Sequence, residues 1–394
     1  MLSRSAVHLA ALYGACFAVL GVSIPFFPVW LEQRGLGPSA IGIILAMSIL
    51  MRALFAPSLM ALADRGFGVR RLLILSNIGA ALAYATLATA NDALTIGLLV
   101  AILALAQAAV VPLSDFATTE LVRRDPRLHY GRVRLWGSIA FLAANIGSGY
   151  VIGVTGAGIV VWLLAALSLL GIAVVWIGPL PEPRSGSGDA TQDTSEALSL
   201  RSLPLTLWCV LAAAACIQAS HAALYSFASI DWRARGFPEP AIGSLWAVGV
   251  AAEIVLFALL GPMMGGVRGA FRCLMLGGAA AIVRFAAMAF EPGLPAAFAL
   301  QALHGLSFGA THLGTMAALA LLAPPVLRGR TQGLLSSALA VVTAGASVMS
   351  GAIFRNAGPL AFAAMVPLAC LGLAFVAMAA RNGAHQPQRA GEGG

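Results

Sequence analysis

The sequence contains no lysine, and charge of either sign is scarce. Of its 394 residues, 15 are acidic and 23 are basic, all of the latter arginine, so 10% of the chain is charged. A soluble domain devotes about a quarter of its residues to charge, and a globule of this size would leave its surface undercovered. Paired cysteines are also missing. Cys16, Cys209, Cys216, Cys273 and Cys370 lie in or beside apolar runs without a CxxC pair. That excludes a disulfide framework and any recognisable metal or redox motif, and the five read as small packing residues. HExxH does not occur, and the polar residues within the apolar runs are dispersed over both halves, which argues against an intramembrane enzyme. The net charge of +8 is spread over short loops and forms no stripe, so a nucleic-acid partner is not expected.

Apolar residues make up 60% of the chain. They fall into twelve runs, near 6–31, 39–62, 71–90, 94–121, 133–153, 157–178, 203–229, 239–262, 271–290, 294–323, 331–352 and 358–380. Each is roughly 20 residues or longer, enough to cross ~30 Å of hydrocarbon at about 1.5 Å per residue. Lipid offers the backbone no hydrogen-bond partner, so the runs must be helices. The first run is too long for a signal-peptide core and reads as the first span.

Arginine placement sets the expected orientation. Seventeen of the 23 arginines fall in one set of loops and termini, four in the opposite loops, and Arg52 and Arg284 inside spans. Both termini are therefore expected in the cytoplasm. The polar stretch from Pro179 to Arg201 divides the spans six and six. The expected organisation is a six-helix bundle over 1–178, a cytoplasmic linker over 179–202, a second bundle over 203–381 and a tail over 382–394.

The halves repeat. Arg34-Gly35-Leu36-Gly37-Pro38-Ser39-Ala40-Ile41-Gly42 and Arg235-Gly236-Phe237-Pro238-Glu239-Pro240-Ala241-Ile242-Gly243 are related at an offset of 201. Six spans restore the starting side of the membrane, so the repeat is parallel. Two parallel six-helix halves are the architecture of major facilitator transporters, an all-α membrane fold with a binding site near the midplane. Ala61 to Arg71 resembles the signature loop of that superfamily, with Met60 in place of its first Gly and one extra residue between Arg65 and Gly68. The resemblance implies a gating role for Asp64, Arg65 and Arg71.

Charges within spans are expensive and become functional candidates. They are Arg52, Asp115, Glu253 and Arg284, with Arg134 opening the fifth span. At the offset of 201, Arg52 aligns with Glu253. Asp115 and Arg134 flank one loop, and a fork-to-carboxylate pair between them is expected. His221, His304 and His312 also lie in spans, the last two about 80° apart on one helix. The bland alternative for each His is an interhelical hydrogen bond, and for each charge a structural ion pair.

Several segments resemble the 3-phenylpropionate permease family of the major facilitator superfamily. They are Val111 to Asp115, Tyr130 to Ser138, His221 to Tyr225, Leu245-Trp246 with Glu253, Val283-Arg284, and Leu303-His304 with His312-Leu313. Similarity to lactose permease is fainter, in Pro25 to Leu31, Asp64 and Gly131 to Arg134. The resemblance implies a proton-coupled symporter of a small organic solute, such as an aromatic monocarboxylate, working by alternating access. Arg52, Arg134, Arg284, Trp136, His221, Trp246, His304 and His312 would then bind substrate, with Asp115 and Glu253 coupling the proton. Phe26 and Tyr225 are further aromatic candidates. No cofactor is expected beyond the proton gradient. A functional monomer in a bacterial inner membrane is the expected setting. A proton-antiporting exporter and a non-transporting membrane receptor remain the alternatives.

Overall fold

The computed structural model describes residues 4–125, 127–181, 203–260 and 265–384. All regular structure among them is helical. Eleven helices are long and apolar enough to cross a membrane: α1 (Arg4–Gln33), α2 (Pro38–Phe67), α4 (Ala93–Arg124), α5 (Tyr130–Thr155), α6 (Ala157–Ile177), α7 (Leu205–Ala234), α8 (Glu239–Leu259), α9 (Gly266–Met288), α10 (Leu294–Leu322), α11 (Pro325–Ala357) and α12 (Leu360–Asn382). Between α2 and α4 lies α3 (Val69–Leu87), whose first turn is occupied by Arg70 and Arg71. Its Leu75, Ile78 and Leu82 nevertheless face outward, as expected of a lipid-facing helix. The twelve helices coincide with the twelve runs read from hydropathy. Most of the linker expected at 179–202, and the tail from residue 385, lie outside the described residues.

Local chemistry sets the helix ends. Pro38 occupies the first turn of α2, where its missing N–H costs nothing. Asp92 caps α4 by accepting a 2.9 Å hydrogen bond from the Thr95 N–H, which holds its carboxyl below the usual range. The expected repeat is visible atom by atom. Gly35 and Gly236 both have φ of 80°, a conformation natural to glycine. The N–H groups of 34, 35 and 36 donate to the carbonyls of 30, 32 and 31. Those of 235, 236 and 237 donate to 231, 233 and 232. Every donor and acceptor is displaced by the same 201 residues.

Small residues let the helices approach. A Cβ at Gly21 of α1 would stand 2.7 Å from the Phe141 carbonyl oxygen of α5, and one at Gly314 of α10 would stand 2.7 Å from the Ala270 carbonyl oxygen of α9. These are small-residue contacts of the kind that membrane helices rely on.

The chain groups into two compact units, Met1–Gln192 with Tyr225–Ala247, and Asp193–Leu224 with Val248–Gly394. The segment Tyr225–Ala247, placed by the sequence in the C-terminal bundle, thus packs with the first unit. The reason is backbone proximity: Gly149 of α5 leaves room for the Glu239 carbonyl, 2.6 Å from where its Cβ would be, and Gly243 sits against the Asn145 carbonyl.

Among the described residues four helices are interrupted within their spans, α12 by a turn at Ala364 and Met365 in its first turns. α4 breaks into a turn at Ala108 and Ala109, and α7 at Ser220 and His221. α10 passes through a turn at Leu303 into a π-helical stretch, Gly305–Ala310. Such interruptions leave backbone groups to be satisfied by side chains, and they mark functional segments.

Candidate functional site

In the second unit the interruptions of α7 and α10 meet around Arg284 of α9. Arg284 is 0% exposed. Its Nη1 donates to His304 Nδ1 at 2.9 Å and to Ser307 Oγ at 3.4 Å, and its Nη2 donates to Gln301 Oε1. His221, at the α7 break, lies 3.0 Å from Ser307 Oγ through Nε2 and 3.2 Å from the Ile217 carbonyl through Nδ1. The carbonyl can only accept, so His221 Nδ1 carries the proton and Nε2 accepts from the Ser307 hydroxyl. The result is a polarised chain from Arg284 through Ser307 and His221 to a helix carbonyl. Gly249 of α8 makes room for this cluster, with a Cβ there meeting His304 Cβ at 3.4 Å and Gln301 Oε1 at 3.5 Å. One turn further along α8, the Glu253 Cγ lies 3.2 Å from the position of a Cβ on Gly309.

The π-helical stretch also explains His312. Its wider turn keeps residues four apart nearly in line. His304, Phe308 and His312 form a ladder, with centroid separations of 5.2 Å and 6.4 Å and interplanar angles of 15° and 2°. His304 is buried in the arginine cluster, whereas His312 stands at the exposed end of the ladder, against Phe257.

Two separate charge centres lie in the first unit. Arg52 of α2 donates from Nη2 to Gln107 Oε1 at 3.0 Å, and Gln107 in turn donates to the Tyr84 hydroxyl at 3.2 Å. The Arg52 Nε is buried without a partner among the described residues. The second centre is Asp115. Tyr13 of α1 and Tyr130 of α5 both donate to its Oδ1, the latter at 3.1 Å. The expected Asp115–Arg134 ion pair does not form among the described residues. Instead the Arg134 guanidinium lies 3.9 Å from the Phe17 ring centroid and 5.3 Å from that of Tyr13. Aromatic faces attract a cation, and the two tyrosine hydroxyls already occupy the carboxylate oxygen that faces α1. Tyr13 was not flagged by the sequence; a phenol near the end of an apolar run carries no local signal of its distant partner.

The aromatic candidates separate. Trp246 stacks on Tyr225 at 5.8 Å, meets Trp232 edge-on at 6.2 Å, and donates from Nε1 to Ser229 Oγ at 2.9 Å. Phe26 is buried. Trp136 is exposed and lines a groove beside α1.

At the loop after α2, the extra residue is accommodated by a widened turn, Ala63–Phe67, and by two glycines with positive φ, Gly66 at 92° and Gly68 at 90°. Asp64, Arg65 and Arg71 are exposed there or at the start of α3, and form no ion pair among the described residues. Arg70 is the tethered arginine. It donates to the carbonyls of Val175, Trp176 and Gly178 at 2.7, 3.0 and 2.8 Å, satisfying the C-terminal end of α6.

A family model described as "MFS_1 like family" matches residues 6–364. The "Probable 3-phenylpropionic acid transporter" of Escherichia coli (strain K12) is 31% identical over 327 residues, covering 80% of this chain and 82% of that protein. The nucleoside transporter NupG has the same fold, with a TM-score of 0.80 at 14% identity over 98% of this chain and 100% of that one. A bacterial homologue of the human lysosomal transporter Spinster, at 17% identity, gives 0.72 over 96% of each chain. The chain is thus a multi-pass membrane protein and no enzyme, and it belongs to the MFS_1-like family of major facilitator transporters.

Proposed function

We propose that this protein takes up a small organic monocarboxylate together with protons, by alternating access. The observation that carries this reading is the fully buried Arg284, which donates to His304 and Gln301 where α7 and α10 are interrupted. Burying a guanidinium costs several kcal/mol, and a membrane protein retains such a cost at substrate and ion pathways. Arg284 and Arg52 are the carboxylate-binding groups in this scheme. Asp115 and Glu253 are the proton carriers, with His221, His304 and Ser307 as the polar lining. Arg134, Trp136, Trp246 and His312 complete the proposed substrate contacts. The E. coli relative's name supports an aromatic acid such as 3-phenylpropionate as the first substrate to try.

The scheme places both termini in the cytoplasm, on the strength of the arginine distribution. It treats 1–178 and 203–381 as the two moving bundles joined by 179–202, with Asp64, Arg65 and Arg71 acting at the cytoplasmic gate. The transporter acts as a monomer and draws its energy from the proton gradient, without a cofactor.

The test is uptake into proteoliposomes. An imposed inward proton gradient should drive accumulation of 3-phenylpropionate, with protons entering alongside it. Arg284→Gln should abolish accumulation while leaving the protein folded. Proton efflux on adding substrate outside would replace this reading with antiport. Binding without counterflow would replace it with a receptor.

A further inference from the structure

A groove of about 530 Å³ runs between α1 and α5 within the first unit. Its floor and walls are apolar, from Val7, Ala11 and Gly14 on one side to Trp136, Ile139 and Ala140 on the other. Val7, Trp136 and Ile139 are 53%, 48% and 46% exposed, so no other part of the described chain covers this face. One end is basic, formed by Arg127, His129 and Arg132. The neighbouring acidic residue Glu120 is engaged with Arg123 and Arg124, at 2.8 Å for the latter. Asp125 accepts the backbone N–H of Arg127 at 3.0 Å. Arg127 and Arg132 themselves form no ion pair among the described residues.

We propose that this groove is a binding site for one anionic phospholipid of the leaflet on the arginine-rich side. The headgroup phosphate sits on Arg127 and Arg132, and one acyl chain lies along the apolar trough. Charge complementarity and length favour this occupant. Eight residues of α5 separate Arg132 from Ala140, about 12 Å along the helix, against roughly 15 Å for the hydrocarbon of one leaflet. A trough that is cationic at the headgroup level and apolar below it matches a phospholipid end for end. A basic pocket between membrane helices recognises such headgroups. Trp136 fits this placement, since its ring presents an apolar body with a polar tip. The inference uses the cytoplasmic placement of this loop and assigns Trp136 to the lipid rather than to the substrate, but it uses none of the proposed carboxylate or proton chemistry.

Native mass spectrometry of the full chain in detergent, titrated with phosphatidylglycerol or phosphatidylcholine, tests it. Phosphatidylglycerol should bind the native chain about thirtyfold more tightly than the Arg127→Gln/Arg132→Gln variant, given the usual attraction per arginine near anionic lipid, taken for two arginines. Arg123→Gln/Arg124→Gln, in the last turn of α4 beside that loop but outside the groove, should leave binding unchanged. Ala11→Trp, which fills the trough, should weaken it. Phosphatidylcholine should show no such dependence. Equal phosphatidylglycerol binding by the Arg127/Arg132 variant, or an equal loss in the Arg123/Arg124 variant, would overturn the site. Displacement of the lipid by 3-phenylpropionate or by inorganic phosphate would reassign the groove to a soluble anion. Failure of transport with lipid binding intact would instead count against the proposed function alone.

Discussion

The Arg284 guanidinium donates to Nδ1 of His304 across 2.9 Å, and this single contact fixes the state of the ring. Guanidinium has no acceptor, so His304 must present a lone pair at Nδ1 and keep its proton on Nε2. Together with the His221–Ser307 link, it sets the direction of the hydrogen bonds that join Arg284, His304, Ser307 and His221, all of them buried. Hydrogen bonding of this kind offsets part of the cost of burying a cation.

Removing the acceptor should therefore be felt as stability. His304→Ala is expected to cost about 1–3 kcal/mol, the usual loss for a buried donor left unpaired. His304→Asn keeps an oxygen near the Nδ1 position and should recover part of that loss. Thermal unfolding of the two variants in detergent checks the ordering.

Arg52 donates to one side chain, Gln107, and its buried Nε meets no described residue. If it receives the substrate carboxylate, Arg52→Gln should raise KM by about tenfold or more, corresponding to the loss of a charge-assisted hydrogen bond. Initial uptake rates over a range of substrate concentrations would measure this. An unchanged KM would remove Arg52 from the carboxylate site.

The proton assignment stands on two carboxylates in different units. Asp115→Asn retains an oxygen for Tyr13 and Tyr130, so folding should survive. Glu253→Gln is similar in size to the native side chain. At least one of the two should lose accumulation driven by the proton gradient while retaining exchange of labelled for unlabelled substrate. Unchanged accumulation in both would eliminate the assignment.

Gly305 is a packing constraint at the π-helical stretch. A Cβ there would stand 2.7 Å from both the carbon and the oxygen of the Ala252 carbonyl. Gly305→Leu must force α8 and α10 apart and is expected to destabilise by about 1–3 kcal/mol. It should also disturb Glu253, the next residue along α8, which gives a transport defect larger than the loss of folded protein.

Arg70 offers a control outside the buried site. Its three carbonyl contacts hold the end of α6. Arg70→Gln should lower stability by about 2 kcal/mol while leaving substrate affinity unchanged. Thermal unfolding and equilibrium binding, measured on the same preparation, separate the two effects.

Span number, helix order and the parallel repeat were legible in the sequence because each depends on local composition. A run of apolar residues must be helical in lipid whatever surrounds it. A nine-residue motif repeated at an offset of 201 produces the same turn twice, down to φ at Gly35 and Gly236. The short list of charges within spans was equally legible, since charge there is rare, although Asp231, buried near the end of α7, was not on it. Their partners were not. Sequence proximity suggested Arg134 for Asp115, but Tyr13, 102 residues away, takes that carboxylate, and Arg134 turns to Phe17. The helix interruptions at His221 and Leu303 likewise have no Pro to announce them. Hydropathy is a property of one helix, whereas the choice of partner depends on the register and facing of two. Only the packed helices decide which of several donors reaches a buried acceptor first.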